Sequence, residues 1–150
     1  MQIQPQVAGT TRVLLGYAVR GEHEEFERAL RELDNDALEQ AVALSMSVSG
    51  AVAVHVCQAN PPSEDALRTL ATTIEKKHAL DAEEVFTYLS RCIFGSSGLA
   101  EVFETHDAVR LPFRIAGTVL DSYAKAERGQ TWTDYLDEVE AAIEAAPDPQ

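Results

Sequence analysis

Apolar residues recur along most of the chain at intervals of three and four residues, the spacing of one face of an α-helix. A first stripe begins at Thr10 or Thr11 and stops at Gly21, a residue typical of helix C-termini. A second stripe covers Glu22–Leu33, with acidic residues in its first turn, where the helix dipole favours them. We predict two helices here, although Val13–Val19 also fits a β-strand.

The segment between Glu39 and Glu64 contains no Asp, Glu, Lys or Arg. Its middle, Ala41–Cys57, is almost wholly apolar or small and must therefore be hidden from water. We predict one helix over residues 36–57. Asp34, Asn35 and Asp36 are all candidate N-caps, and Asp36 with Glu39 forms a capping-box pattern. A helix that is apolar all round is typical of the centre of a globular domain.

Two other structures fit part of this segment. Val52, Val54 and Val56 alternate with smaller residues, as in a strand over residues 51–57, but the chain shows no second convincing strand to pair with it. A membrane span would need about 20 apolar residues, flanking basic residues and interfacial aromatic residues, and these are missing. We therefore expect a buried helix and no membrane insertion.

Start and stop signals divide the rest of the chain into further helices. Pro61 and Pro62 break the chain, and Ser63 caps the next helix. Asp81 and Glu84 form a capping box for the helix that follows. That helix is expected to stop at residues 95–98, where the chain reads Gly-Ser-Ser-Gly.

The C-terminal third predicts three more helical segments. A short helix over Leu99–Glu104 precedes a long one that begins near Asp107 or Leu111 and runs to Arg128. Pro112 marks either the first turn of the long helix or a kink in it. Thr131 caps the last helix.

Together these elements predict an all-α, single-domain bundle of about six to seven helices around the apolar helix 36–57. We expect residues 1–9 to be a flexible N-terminus, residues 10–146 the helical domain, and residues 147–150 a flexible tail.

Small side chains line one face of the central helix. Ser45, Ser49 and Ala53 recur at intervals of four residues, so neighbouring helices can approach closely there. Buried serine hydroxyls can bond to the carbonyl four residues earlier. The stripe predicts close packing within the chain, a homodimer face or a ligand cavity. Trp132 marks a second candidate dimer interface.

Charge narrows the list of partners. The formal net charge is −13 and is spread evenly over both halves of the chain. Phosphate contacts with nucleic acid need clustered Lys and Arg, which are missing, so we expect no nucleic acid and favour a basic protein as partner. Cys57 and Cys92 lack metal-site spacing and suit free thiols in a reducing cytoplasm. The N-terminus does not resemble a signal peptide.

Candidate chemistry is sparse. The chain has no Gly-x-Ser-x-Gly or Ser-x-x-Lys motif and no supported phosphate loop, so we assign no catalytic residue and no cofactor. A metal site is not expected, because Glu75-x-x-His78 is only half of a di-iron pattern. His55, Arg110, Arg114 and His106 are the candidate ligand-binding residues, while His23 is expected to be solvated.

We therefore predict a non-enzymatic acidic protein of the cytoplasm that acts through protein–protein interaction, as an adaptor, an accessory subunit or an inhibitory subunit. The alternative is a small-molecule-binding helical domain or enzyme, with its pocket beside the small-residue face of the central helix.

Overall fold

The computed structural model describes residues 2–78, 80–95 and 99–146, and their side chains except those of residues 77, 78, 100 and 125–128. Over these ranges the chain forms seven α-helices, one 3-10 helix at Leu99–Glu101 and no strand. The helices are α1 Pro5–Arg20, α2 His23–Glu32, α3 Asn35–Cys57, α4 Glu64–His78, α5 Ala82–Phe94, α6 Thr105–Arg128 and α7 Trp132–Ala145. The predicted all-α bundle is confirmed.

Most helix ends lie where the local signals place them. Gly21 and Gly129 follow α1 and α6 with φ angles of 69° and 62°, a left-handed conformation that glycine adopts without steric cost. The side chain of Thr131 accepts a hydrogen bond from the Asp134 amide at the start of α7. Asp81 does the same for the first turn of α5, where it accepts from the Glu83 amide.

The predicted start of the first helix, at Thr10 or Thr11, is wrong. Helix α1 begins at Pro5, so residues 5–9 are helical and do not form a flexible segment. Proline suits a first helical position because its fixed φ angle matches the helix and its missing amide hydrogen is not needed there. Val7 packs half-buried against the core, which favours helix in this turn. The expected tail at residues 147–150 lies outside the described residues.

Helix α3 confirms the predicted central helix and rejects the strand over residues 51–57, since it runs unbroken through Gly50 to Cys57. Val13–Val19, the other candidate strand, lies within α1. Of the candidate N-caps, Asp34 and not Asp36 accepts the hydrogen bond of the first turn, from the Ala37 amide.

Helix α6 is longer than its sequence pattern indicates. It begins at Thr105, so Pro112 lies inside the helix and the first-turn interpretation of that residue is wrong. The predicted helix over Leu99–Glu104 is shorter in the structure, where only Leu99–Glu101 form a 3-10 turn.

Two helices, α3 and α6, share the centre of the bundle. Helix α3 packs against α1, α4, α5, α6 and α7. Helix α6 packs against α1, α3, α4, α5 and α7. Among the described helices α3 is the one long and apolar enough to cross a membrane, a test that core helices of folded domains also pass. Eight of its residues are buried against its neighbours, which is the arrangement expected of a core helix.

Gly117 sets the distance between α1 and α6. A β-carbon at this position would lie 3.2 Å from Val19 Cγ2 and 3.5 Å from the Leu15 carbonyl oxygen. Glycine therefore lets the two helix backbones approach closely. This contact lies at the floor of an open cleft between α1, α2 and α6.

Candidate functional site

The small-residue stripe of α3 is an internal packing face. Ser45, Ser49 and Ala53 are 0%, 0% and 1% exposed within the single chain. Of the three interpretations of this stripe, the burial supports close packing within the chain, since the surface of the folded chain does not present these side chains to a second copy. Ser49 Oγ donates to the Ser45 carbonyl oxygen at 2.9 Å, as expected for a buried serine in a helix. Ser45 Oγ finds no hydrogen-bond partner in the described part of the chain.

His55 lies near the C-terminal end of α3, away from the two arginines predicted to act with it. Its Nδ1 atom is 2.9 Å from the Tyr135 hydroxyl of α7, and the two rings meet edge to face with centroids 5.9 Å apart. This contact joins α3 to α7. His55 does not line the cleft that contains Arg110 and Arg114.

A cleft of about 530 Å³ lies between α1, α2 and α6. Its volume lies within the range of small-molecule sites. The apolar part of its lining consists of Val19 in α1, Phe26 in α2 and Leu80, which precedes α5. The ring of Phe26 packs edge to face against the ring of Phe113, with a centroid distance of 5.8 Å.

Arg110 lines one side of the cleft and forms a two-point ion pair with Glu27. Its Nε and Nη2 atoms donate to the two carboxylate oxygens of Glu27, each at 2.7 Å. Its Nη1 donates to the His106 carbonyl oxygen at 3.2 Å. The hydrogen bonds from Arg110 lower the pKa of Glu27 more than partial burial raises it.

Arg114 lies one helical turn beyond Arg110 and also lines the cleft. Arg114 is exposed, and its side chain makes no hydrogen bond or ion pair with any described residue. An arginine presents five N–H donors in a planar fork that matches a carboxylate. Arg114 therefore offers unused donor capacity to whatever occupies the cleft.

The structure thus brings together two of the four predicted ligand-binding residues, Arg110 and Arg114. His106 contributes only a backbone carbonyl, to Arg110. His23, which the sequence analysis treated as a solvated side chain, lines the same cleft. No local signal identifies it, because its place depends on how α2 packs against α6.

The cleft between α1, α2 and α6 is not the pocket predicted beside α3. The large cleft contains no residue of α3, whose small-residue face is filled by its own neighbours. A second groove, of about 190 Å³, does border α3 at Gln40, Ala43 and Leu44. It lies against residues 2–7 and includes neither the Ser45–Ala53 stripe nor His55.

Helix α7 forms the most uniformly acidic element. It carries five carboxylates and no Lys, Arg or His, and no Lys or Arg follows residue 128. Asp134 and Asp137 are exposed, whereas Glu140 is largely covered. Arg12 of α1 donates to Asp137 at 2.7 Å and to Glu140 at 2.6 Å. The outer surface of α7 is therefore negative.

Neither cysteine is activated. Burial raises the pKa of Cys92 to about 12, which outweighs the opposite effect of a hydrogen bond with Tyr88. Burial also raises the pKa of Cys57. Within the described ranges no three His, Cys, Asp or Glu residues are placed to hold a metal ion.

The chain matches no protein-family model, no curated protein and no solved structure at a significant level.

Proposed function

We propose that this protein is a non-enzymatic, cytoplasmic interaction module whose acidic surface binds a basic protein partner. The outer surface of α7 is the observation that carries this proposal. Four of its carboxylates, Asp134, Asp137, Glu138 and Glu144, lie at exposed positions of one helix that has no basic residue. Such a surface attracts a positively charged partner and repels phosphate backbones and anionic lipids.

The ion pairs of Arg12 leave the charge of α7 only partly compensated. One guanidinium faces two carboxylates, Asp137 and Glu140. Asp137 retains 66% side-chain exposure despite this contact, so its carboxylate stays accessible to a second cation. A basic partner would complete the compensation, which makes the interaction dependent on salt concentration.

Co-purification from native lysate at about 50 mM and about 500 mM salt tests the proposal, because the higher concentration screens surface charges. The decisive variant removes three of the five carboxylates of α7, with Asp134→Asn, Asp137→Asn and Glu144→Gln. The matched control removes three carboxylates from α2, with Glu24→Gln, Glu25→Gln and Glu32→Gln.

We expect the wild type and the α2 control to retain a basic protein at low salt and to release it at high salt. The α7 variant should not retain it. If the wild type retains no protein at low salt, or if the α7 variant retains the same protein as the control, the proposal is wrong.

A second candidate function, small-molecule binding, is favoured by the cleft between α1, α2 and α6. Its volume, its apolar walls and the free donors of Arg114 are the features of a ligand site. This site differs from the pocket predicted beside α3, which stays a prediction.

Association with a second copy of the chain is now proposed only through Trp132, which is half-buried at the start of α7. Sedimentation of dilute and concentrated protein tests it. A dimer that Trp132→Ala abolishes would support the proposal, and monomers at both concentrations would contradict it.

A further inference from the structure

We propose that the cleft between α1, α2 and α6 binds a small amphipathic monoanion, an organic carboxylate with an apolar body, through Arg114. This inference rests on the second candidate function, small-molecule binding, and specifies its ligand class.

The charges around the cleft leave one cation available. Four charged side chains line it, the cations Arg110 and Arg114 and the anions Glu27 and Asp121. Arg110 and Glu27 neutralise each other through two hydrogen bonds of 2.7 Å. Asp121 has an interaction of its own. Arg114 alone of these four has no partner among the described residues, so its guanidinium is the free charged donor among them. The lining also includes two hydroxyl side chains and an imidazole that can add polar contacts, those of Tyr17, Thr118 and His23.

The ion pair between Arg110 and Glu27 also shapes the site. Arg110 is held in place at three points, by the two carboxylate oxygens of Glu27 and by the His106 carbonyl oxygen. A guanidinium bonded in this way cannot turn toward a ligand without losing charge-assisted hydrogen bonds. The guanidinium of Arg110 is therefore fixed in position one helical turn from Arg114. Because its donors are already bonded, a ligand carboxylate would bind Arg114 instead.

The apolar part of the ligand would lie against Val19, Phe26 and Leu80. Phe26 and Leu80 are each 6% exposed and present the faces that remain accessible in the cleft. Covering apolar surface supplies the non-directional part of the affinity, and Arg114 supplies the orientation.

A single negative charge fits the site better than several. The cationic and anionic side chains of the lining are equal in number, while the whole chain carries a formal charge of −13. Each further negative charge on a ligand adds repulsion from the protein's overall field and finds no second free arginine or lysine in the described lining. Inorganic phosphate and other compact polyanions should therefore bind poorly.

Calorimetric titration with four probes tests the inference. Naphthylacetate and decanoate are carboxylates with different apolar bodies, naphthylacetamide is the uncharged match of the first, and inorganic phosphate has no apolar body. The variant Arg114→Gln removes this guanidinium and should fold normally, because Arg114 is exposed and has no hydrogen bond or ion pair with a described residue. Arg28→Gln is the matched control, since Arg28 is an exposed arginine of α2 outside the cleft.

We expect at least one carboxylate to bind the wild type, and Arg114→Gln to weaken it about tenfold, the effect of losing one charge-assisted contact. Naphthylacetamide should bind about tenfold more weakly than naphthylacetate, phosphate should not bind, and Arg28→Gln should leave the affinity unchanged. Ligand-induced amide shifts in NMR spectra should centre on Val19, Phe26 and Gly117.

The possible failures differ from one another. If neither carboxylate nor the amide binds, small-molecule binding in the cleft is wrong and the inference falls with it. If naphthylacetate and naphthylacetamide bind equally and Arg114→Gln has no effect, the cleft binds small molecules but the carboxylate inference is overturned. An equal loss of affinity in Arg28→Gln and Arg114→Gln would show a general charge effect and would also overturn it.

Discussion

The hydroxyl oxygen of Tyr88 in α5 lies 2.9 Å from Ser49 Oγ in α3, and both side chains are buried. Ser49 uses its one hydroxyl hydrogen to bond the Ser45 carbonyl oxygen. Tyr88 must therefore donate to Ser49, which accepts. This chain of hydrogen bonds lets a tyrosine hydroxyl be buried against the most apolar helix of the protein at little cost.

The direction of these bonds predicts unequal effects of removing either partner. Ser49→Ala removes the oxygen that accepts from the buried Tyr88 hydroxyl and leaves it only the weaker sulfur acceptor of Cys92, so it should cost about 1–3 kcal/mol of unfolding free energy. Tyr88→Phe removes that hydroxyl while Ser49 keeps its bond to the Ser45 carbonyl, so it should cost only about 1 kcal/mol. Urea denaturation measures both values.

The double variant provides the control. With Ser49→Ala and Tyr88→Phe together, neither polar group remains unsatisfied, so the combined loss should be smaller than the sum of the two single losses. A strictly additive result, or a larger loss for Tyr88→Phe than for Ser49→Ala, would contradict the assigned direction of donation.

The thiols should be slow to react in the folded protein. At pH 8 Cys92 remains protonated, because burial raises its pKa to about 12, and only the thiolate is nucleophilic. Burial raises the pKa of Cys57 as well. Titration with a thiol reagent should show slow labelling of both in buffer and rapid labelling of both in guanidinium chloride. Labelling of native Cys92 as fast as in the unfolded chain would contradict this prediction.

The ion pair between Glu27 and Arg110 should contribute to stability above the ordinary pKa of glutamate. Because the pKa of Glu27 is lowered from 4.5 on folding, the stabilisation is present above pH 4.5 and is lost as the pH falls through the folded value. The partners are partly exposed, so we expect less than about 1 kcal/mol.

Urea midpoints measured between neutral pH and pH 3 check this prediction. Glu27→Gln should lose less stability below pH 4.5 than the wild type does. Glu32→Gln, which removes an exposed carboxylate from the same helix, should follow the wild type. If Glu27→Gln and Glu32→Gln give the same pH profile, the ion pair does not stabilise the fold.

Two helical glycines should respond differently to alanine. At Gly50 an added β-carbon would meet its nearest atom, the Cys92 carbonyl oxygen, at 3.5 Å, an ordinary contact. Gly50→Ala should therefore gain up to about 1 kcal/mol of unfolding free energy from helix propensity. At Gly117 the β-carbon would lie 3.2 Å from Val19, so steric cost should offset that gain. Thermal unfolding of both variants checks the order, and a more stable Gly117→Ala would contradict it.

Helix content and most helix ends were predictable from local chemistry. Gly21, Ser63, Asp81 and Thr131 act through the few residues next to them in the chain, so their effect is visible in the sequence. The N-terminus of α1 was not predictable, because Pro5 alone is also compatible with an extended segment. What favours helix there is the packing of Val7 on the core, a contact between residues distant in sequence.

The candidate site was predictable only in part. Arg110 and Arg114 are four residues apart on α6, so a shared face follows from helical spacing alone. The sequence does not show that Arg110 is bonded to Glu27, which lies 83 positions earlier. That contact distinguishes the two arginines, because it leaves Arg114 as the one with free donors.

The sequence by itself determined that residues 36–57 form a buried apolar helix, since a stretch of that length without charge cannot remain in water. It did not determine what covers that helix. Packing in three dimensions decided that its small-residue face is filled by the chain itself, with Ser49 bonded to Tyr88. Packing also placed the cleft between α1, α2 and α6, because a cavity depends on how distant helices meet, which no local pattern specifies.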